Sequence, residues 1–321
     1  MGEFELIRKY FAAAPCAQGG DGIALGIGDD CALLALPAGE QLAISTDTLV
    51  AGVHFADPCD PFLLGQRSLA VAVSDLAAMG ANPLAFTLAL TTPTVDADWL
   101  QRYAQGLNAM ALSCGVGLVG GDTTRGPLSL TLTVFGRVPA GQALTRSGAQ
   151  PGDLLCVGGE LGNAAGALPL VLGLRNADEA VAQPLLAHYW SPQPQLALGL
   201  ALRGKATAAM DISDGLLADC GHIAKASAVS LLIERQQLPL SSALLAFVGD
   251  DEARVAALSG GDDYVLAFTL PPVELAPLLA DGWPVHVIGR VQAGQGVTLL
   301  DAKGQDITPA IRGYQHFRDT P

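Results

Sequence analysis

Charged residues are scarce in this chain, and basic residues are scarcer than acidic ones. Asp, Glu, Lys and Arg account for 15% of its 321 residues, with 31 acidic and 17 basic side chains and a formal net charge of −14. No Lys- or Arg-rich run offsets this acidic excess. Because a surface of this charge repels polyanions, the composition argues against nucleic acid as a partner.

The chain also lacks paired cysteines and long apolar runs. Its six cysteines include no C-x-x-C pair, and no histidine stands at metal-ligand spacing, so the sequence predicts neither a zinc site nor a disulfide framework. No stretch reaches 18 apolar residues without a breaker, and residues 1–10 carry charges where a signal peptide requires an apolar core. We therefore expect a cytoplasmic protein without membrane association.

Length and turn composition predict two domains. A chain of 321 residues exceeds the size at which one hydrophobic core usually stops growing. A turn-rich run at residues 146–153 then precedes a new apolar run at residues 154–157. This change of composition places the boundary between domains 1–147 and 148–321.

Hydrophobic spacing predicts helices and strands in both halves of the chain. The predicted helices span residues 61–79, 98–114 and 193–202, and the predicted strands span residues 42–45, 128–138, 230–233, 264–270 and 285–291. Asp96 and Asp98 are candidate caps for the second helix, which loses its pattern at Gly115. The expected fold class is α/β (α+β), with two mixed domains.

Against this charge-poor background, aspartate recurs after a small residue at the end of apolar runs. The aspartates placed in this way are Asp29, Asp30, Asp47, Asp75, Asp122, Asp214, Asp262 and Asp263. Any one of these motifs fits an ordinary turn or cap. Together they predict a set of hard oxygen ligands of the kind that binds Mg²⁺, which in turn binds phosphates.

Several of these motifs carry further expectations. Asp47 and Asp122 are expected at the ends of strands, and Asp75 is expected inside an apolar helix, where an unpaired charge is costly and a positive group should meet it. Asp211 and Asp214 precede a helical run, so that one of them could cap the helix while its first amides bind an anion.

Two glycine motifs resemble nucleotide-binding patterns in their letters alone. Residues 115–120 match G-x-G-x-x-G, but the predicted helix comes before this motif instead of after it. Residues 199–205 match most of a phosphate-binding loop, but Ala206 stands where a magnesium-ligating Ser or Thr is required. Neither motif is therefore predicted to bind nucleotide.

Seven stretches stand in the order and spacing of one family. They are GIGDD, STDTLVAGVHF, SDLAAMGA, GGDTTRG, LTRSGAQPGD, DISDGL and SGGDDY. With them, the chain resembles the thiamine-monophosphate kinase family, part of the ATP-binding superfamily that includes aminoimidazole ribonucleotide synthetase. The resemblance covers nearly the whole chain and implies a homodimer whose N-terminal sheets pair into a barrel, each chain adding a C-terminal α/β domain.

The resemblance also implies the reaction and the residues that perform it. The expected reaction is direct in-line transfer of phosphate from ATP to thiamine monophosphate, the last step of thiamine diphosphate biosynthesis, with Mg²⁺ as cofactor. The implied metal ligands are Asp30, Ser45, Thr46, Asp47, Asp75, Asp122, Asp211 and Asp214. Those expected to be catalytic are Asp30, Asp47, Asp75, Asp122 and Asp214. The implied ATP contacts are Gly121, Asp122, Arg146 and Ser213, and the implied substrate contacts are His54, Asp262 and Phe317.

The chain departs from the family pattern at two positions. Asp262 stands where the family usually has glutamate, and Ala104 stands where it often has an aromatic residue. Two other functions remain open: a sister synthetase acting on a phosphoribosyl, carbamoyl or selenide substrate, and a non-catalytic scaffold that binds divalent ions for stability. Substrate-dependent ADP release separates the first from a kinase, and stabilisation by ATP separates the second.

Overall fold

The computed structural model describes residues 3–310 and 313–314, apart from the side chains of residues 3 and 4. The chain divides into two compact units, Met1–Leu76 with Ala81–Ala143 and Ala77–Gly80 with Leu144–Pro321. The domain boundary at residues 147 and 148 stays a prediction. Within the described part of the chain, no helix is both long and apolar enough to cross a membrane.

The first unit is built on a four-stranded sheet in the order β3-β6-β4-β5. Its strands are β1 (Ile23–Leu25), β2 (Leu33–Leu34), β3 (Glu40–Val50), β4 (Asn82–Thr92), β5 (Gly117–Arg125) and β6 (Ser129–Pro139), and its helices are α1 (Glu3–Leu6), most of α2 (Pro61–Ala78) and α3 (Ala97–Cys114). α1 continues as a π-helix over Ile7–Ala12. β6 pairs antiparallel with β3 and β4, whereas β4 and β5 run parallel.

Alternation along β6 separates a buried face of the sheet from an open one. Leu130, Leu132 and Val134 are fully buried, while Thr131 and Thr133 between them are part-exposed. The two threonines bond through their hydroxyls to Thr48 at 2.8 Å and Thr46 at 2.9 Å on β3. The period of two predicted for residues 128–138 is therefore confirmed.

Local signals set both ends of α3. The Asp96 carboxylate accepts hydrogen bonds from the backbone N–H groups of Asp98 and Trp99, as an N-cap does. At the other end Gly115 adopts φ 67°, which glycine does at little cost. β5 follows two residues later, so residues 115–120 end a helix and open a strand, which confirms the rejection of the dinucleotide motif.

The second unit contains a six-stranded sheet in the order β12-β9-β11-β7-β10-β8. Its strands are β7 (Leu154–Val157), β8 (Ala208–Asp211), β9 (Ser230–Glu234), β10 (Leu266–Leu270), β11 (His286–Gln292) and β12 (Gly296–Leu300), and its helices are α4 (Asn163–Val171), α5 (Glu179–Trp190), α6 (Leu196–Leu202), α7 (Leu216–Ser227), α8 (Ser242–Ser259) and α9 (Leu275–Ala280). The sheet is antiparallel except between β9 and β12. Both units therefore mix helices and strands, as predicted.

Candidate functional site

A cavity of about 700 Å³ lies in the first unit beside β5. The N-terminal helical segment contributes Ile7, Arg8, Phe11 and Ala12 to its wall, and Leu88 with residues 27–32 and 118–123 completes the lining. This volume lies in the range of small-molecule sites. The cavity brings Asp30 together with Gly121 and Asp122, whereas Arg8 and Phe11 come from a segment in which the sequence analysis identified no site residue.

Gly121 shapes the wall of this cavity. Its φ is 150°, and a Cβ atom built on it would lie 1.9 Å from the carbonyl oxygen of Leu88 on β4. Only glycine therefore allows β4 and β5 to approach in this way. Asp122 lies inside β5, which continues to Arg125, so the strand extends further than predicted.

The loop before β2 contributes two adjacent carboxylates to the cavity. Asp29 and Asp30 are both exposed, and the Asp30 N–H donates to Asp29 Oδ1 at 2.9 Å. This bond holds Asp29 in the turn. Neither carboxylate forms an ion pair with a described residue, so the cavity combines exposed acidic oxygens with one basic side chain, Arg8.

A second acidic group in the first unit joins α2 to β3. The Ser45 hydroxyl donates to Asp75 Oδ2 across this contact. No ion pair involves Asp75 in the described part of the chain, so the positive partner predicted for it is replaced by a hydroxyl. Asp47 lies within β3, three residues before its end, so this strand also extends further than predicted.

Two adjacent residues of β3 cannot both turn their side chains toward Asp75. Ser45 and Asp47 lie on one face of β3, because successive side chains of a strand point to opposite faces. Thr46 lies on the other face, where its hydroxyl bonds to Thr133. Of the three predicted ligands on β3, Thr46 could therefore join Ser45 and Asp47 only through its backbone oxygen.

In the second unit, residues 211–215 connect β8 to α7. Asp211 is buried as the last residue of β8, while Ser213 is exposed and Asp214 is half-buried. α7 begins after Gly215, which has no side chain to cap it, so the expectation that Asp211 or Asp214 occupies the cap position is wrong. Asp219 in the first turn instead binds the loop before the helix: its Oδ2 accepts the N–H groups of Ser213, Asp214 and Gly215 at 3.0, 3.0 and 3.1 Å.

The loop before β10 lies directly against residues 211–215. The Asp262 N–H donates to the Ser213 carbonyl at 2.9 Å, so the structure brings a predicted substrate residue to a predicted ATP residue. Asp262 and Tyr264 adopt positive φ angles of 69° and 50°, and the Tyr264 hydroxyl donates to Asp262 Oδ1 at 3.0 Å. This hydrogen bond restrains the short Asp262 side chain.

Two buried carboxyls lie behind these loops. Burial raises the pKa of Asp219 to about 6, against the opposing effect of its N–H donors, and the charge of Asp214 adds to the rise. Burial also raises the pKa of Asp263 to about 8, although the Gly162 N–H bonds to both of its oxygens. Neither residue was among the predicted site residues. The Asp263 contact with Gly162 joins segments distant in sequence, and the Asp219 contacts form only when residues 213–215 fold over the start of α7.

The raised pKa of Asp263 predicts a pH-dependent stability. In the folded chain this carboxyl keeps its proton up to about pH 8, whereas the unfolded chain releases it near pH 4. The carboxyl therefore makes its full contribution to the free energy of unfolding below pH 4, and this contribution is lost as the pH rises through 8. We expect Asp263→Asn to reduce the fall in Tm between pH 5 and pH 9, measured by differential scanning calorimetry. Equal falls in the two proteins would contradict the assignment, and the exposed Asp178→Asn serves as the control.

The remaining predicted site residues lie outside these groups. His54 Nδ1 accepts the Val50 N–H at 3.0 Å, which places the ring proton on Nε2 of a neutral imidazole. Arg146 is exposed, and its carbonyl accepts the Ser227 hydroxyl. Ala104 is buried in α3, and Phe317 lies outside the described residues.

The oxygen atoms of these groups are suitable ligands for Mg²⁺, but they are too far apart to surround the ion with protein ligands alone. Within residues 3–310 and 313–314, no three His, Cys, Asp or Glu side chains are placed to hold a metal ion together. Mg²⁺ usually keeps several waters and binds one or two carboxylates together with substrate phosphates. Isolated pairs of carboxylate and hydroxyl oxygens, such as Asp75 with Ser45, are compatible with that mode.

Comparison with known families agrees with the fold. Residues 28–138 match the AIR synthase related protein N-terminal domain, and residues 150–302 match the corresponding C-terminal domain. The two mixed α/β units with their acidic loops thus define a protein of the AIR synthase related class. Hydrogenase maturation protein HypE in complex with ATP shares this fold at 21% identity, with a TM-score of 0.76 over 98% of this chain and 95% of that one.

Closer relatives define the family. The chain is 45% identical over 322 residues to the thiamine-monophosphate kinase of Salmonella typhimurium, covering 98% of both chains. It matches the crystal structure of thiamine-monophosphate kinase from Stenotrophomonas maltophilia K279a at 46% identity and TM-score 0.82, over 87% of this chain and 91% of that one. A structure described as AaThiL complexed with AMPPCP and TMP matches at 30% identity and TM-score 0.80, over 91% and 92%. The chain belongs to the thiamine-monophosphate kinase family.

Proposed function

We propose that this protein transfers the γ-phosphoryl group of ATP to the phosphate of thiamine monophosphate, giving thiamine diphosphate and ADP as the last step of thiamine diphosphate biosynthesis. The observation that carries the proposal is the full-length similarity at 45% identity to relatives named thiamine-monophosphate kinase. A related structure described as holding both AMPPCP and TMP supports the same pair of substrates.

This reaction requires little proton chemistry from the protein. The attacking group is a phosphate oxygen that is already largely ionised near neutral pH, since the second pKa of a phosphomonoester is about 6. No general base is therefore required. The protein's residues have to align the two phosphates and exclude water, which are the main contributions in phosphoryl transfer.

The first unit would bind the nucleotide in the cavity beside β5. Ile7, Phe11 and Leu118 supply apolar wall for a base or sugar, and Arg8 supplies a positive charge for a phosphate. The Gly121 backbone allows close approach of a ligand. Asp30, Asp122 and the group formed by Ser45, Asp47, the Thr46 backbone oxygen and Asp75 would hold magnesium, which when bound neutralises phosphate charge and keeps the reacting groups in line.

The second unit would contribute its own set of ligands. Asp211 at the end of β8 and Asp214 in the loop after it would be magnesium ligands. Ser213 offers an exposed hydroxyl to the ATP phosphates, and Asp262 would face the substrate from the neighbouring loop. Arg146 is exposed and can pair with an ATP phosphate. Phe317 is retained as a substrate contact on the motif resemblance alone, and the cytoplasmic location also stays a prediction.

A homodimer would cover the open face of the first sheet. Ile44 is 58% exposed on this face, in line with the threonine hydroxyl pairs between β3 and β6. A second copy packing its own sheet here would bury these side chains and form the barrel implied by the family resemblance. Sedimentation equilibrium tests this, since a monomer at micromolar concentration would contradict it.

His54 is proposed to contact thiamine monophosphate, as the motif resemblance implies. We expect His54→Ala to raise KM for thiamine monophosphate roughly 10-fold, the loss of one hydrogen bond to a charged group, and to leave KM for ATP unchanged. Steady-state kinetics with each substrate varied measure both constants. An equal rise in both would assign His54 to the folding of residues 50–55.

The function itself is tested by ADP release with and without thiamine monophosphate, with mass detection of thiamine diphosphate. Product that appears only with both substrates supports the kinase. Retained ATP binding without product would favour a sister synthetase. A gain in Tm from Mg²⁺ with no further gain from ATP would favour a scaffold, because a ligand stabilises a protein only if it binds the folded state.

A further inference from the structure

We propose that Asp219 is a positioning residue that holds residues 213–215 in the conformation in which Ser213 and Asp214 meet the nucleotide and its metal. The inference rests on the proposed function, because Ser213 and Asp214 take their roles from it. Asp219 itself is 2% exposed and lies in the first turn of α7, so it acts through the loop and not on a ligand.

Three hydrogen bonds from the loop converge on a single atom of Asp219. One oxygen, Asp219 Oδ2, accepts all three consecutive N–H groups of residues 213–215, between 3.0 and 3.1 Å. Because the amides of the loop are directed at this buried oxygen, they are not available to a phosphate. The loop is left to interact with ligands through the exposed Ser213 side chain and the half-buried Asp214 side chain.

The same loop is restrained from its carbonyl side. Ser213 O accepts the Asp262 N–H at 2.9 Å, and Asp214 O accepts the Tyr314 N–H at 3.0 Å. Gly261 lies so close that a Cβ atom there would be 2.3 Å from Ser213 O. Loss of the Asp219 contacts would therefore release the amide side of the loop while its carbonyl side stays attached, which would rotate the peptide groups that carry Ser213 and Asp214.

If Asp219 only stabilised the start of α7, its removal would have a different effect on ligand binding. Removal of a cap lowers the stability of the helix, but it leaves the affinity of the folded protein for its ligand unchanged. A matched comparison is available in Asp153, which is also buried, at 6% exposure. Its Oδ2 accepts the Gln150 N–H at 2.9 Å and the Thr207 hydroxyl at 2.6 Å, and neither bond involves residues 213–215.

The test measures the Kd of AMPPCP with Mg²⁺ by isothermal titration calorimetry, for the wild type and for Asp219→Ala, Asp219→Asn and Asp153→Ala. We expect Asp219→Ala to raise Kd at least roughly 10-fold, as loss of an orienting partner does at metal sites. Asp219→Asn should stay within about 3-fold, because a single amide oxygen can accept the same three N–H bonds. Asp153→Ala should lower Tm without changing Kd.

Two outcomes would overturn the proposal: an unchanged Kd in folded Asp219→Ala, or equal losses in the alanine and asparagine variants. If Asp219→Ala does not fold, Asp219→Glu replaces it, since its carboxylate is displaced by one methylene and should raise Kd more than asparagine does. The calorimetric readout needs no turnover. If the wild-type protein binds AMPPCP but forms no thiamine diphosphate, the proposed function is wrong. The comparison of Kd values then still tests the role of Asp219.

Discussion

Replacement of Gly121 by alanine is expected to lower Tm by roughly 6–12 °C and to abolish nucleotide binding in the cavity beside β5. The new Cβ atom would lie 1.9 Å from Leu88 O and 2.7 Å from its carbonyl carbon. β4 and β5 would have to separate by more than 1 Å, at a cost of about 3 kcal/mol for overpacking and backbone strain. Differential scanning calorimetry and titration with AMPPCP measure the two effects.

The neighbouring glycine provides the control for this substitution. A Cβ atom on Gly120 would meet only Thr87 Cγ2, at 3.7 Å, which is an ordinary contact. Gly120→Ala should therefore keep Tm within about 2 °C of the wild type. If the two variants lost equal stability, the close approach of β4 to Gly121 could not be what requires glycine there.

Asp75→Asn is expected to reduce kcat/KM at limiting Mg²⁺ by roughly 100-fold or more, the size of effect that misplacement of reacting groups produces. The asparagine oxygen can still accept the Ser45 hydroxyl, so the substitution removes a charge and preserves the contact between α2 and β3. Part of the loss should be recovered at high Mg²⁺, because a weakened metal site fills again by mass action. Initial rates over a Mg²⁺ titration measure this recovery.

Asp98→Asn is the matched control for the loss of one negative charge in the same unit. Asp98 is exposed in the first turn of α3, where removing a charge costs at most about 1 kcal/mol of stability. Its Mg²⁺ titration should superimpose on that of the wild type. Full turnover by Asp75→Asn at limiting Mg²⁺ would remove Asp75 from the set of metal ligands.

The elements that were predictable from sequence are those with strong local signals. α3 has a cap at Asp96 and a glycine at its end, and β6 alternates apolar with Thr or Ser residues, so both were predicted within a few residues of their observed bounds. β4 was not among the predicted strands. Its near-continuous apolar run shows no period of two, and such a run cannot be distinguished from a buried helix by pattern alone.

The candidate site was predictable in its residue types but not in its arrangement. The repeated placement of aspartate after small residues indicates divalent-ion chemistry, and two of the aspartates that it selected, Asp30 and Asp122, line one cavity. The same pattern included Asp263 but gave no indication of Arg8 or Asp219. Arg8 stands in an ordinary helical segment, and Asp219 is a buried carboxyl within a helix, whose loop partners are defined only by folding.

By itself, then, the sequence determined the class of chemistry, the family and the local structure, because caps, glycine conformations and side-chain periodicity depend on residues a few positions apart. Tertiary structure alone decided which acids meet which partners. Asp75 meets the hydroxyl of Ser45 on another element instead of a cation, and Asp30 and Asp122 line one cavity. These outcomes depend on strand pairing and helix packing between distant segments, which short-range spacing does not specify.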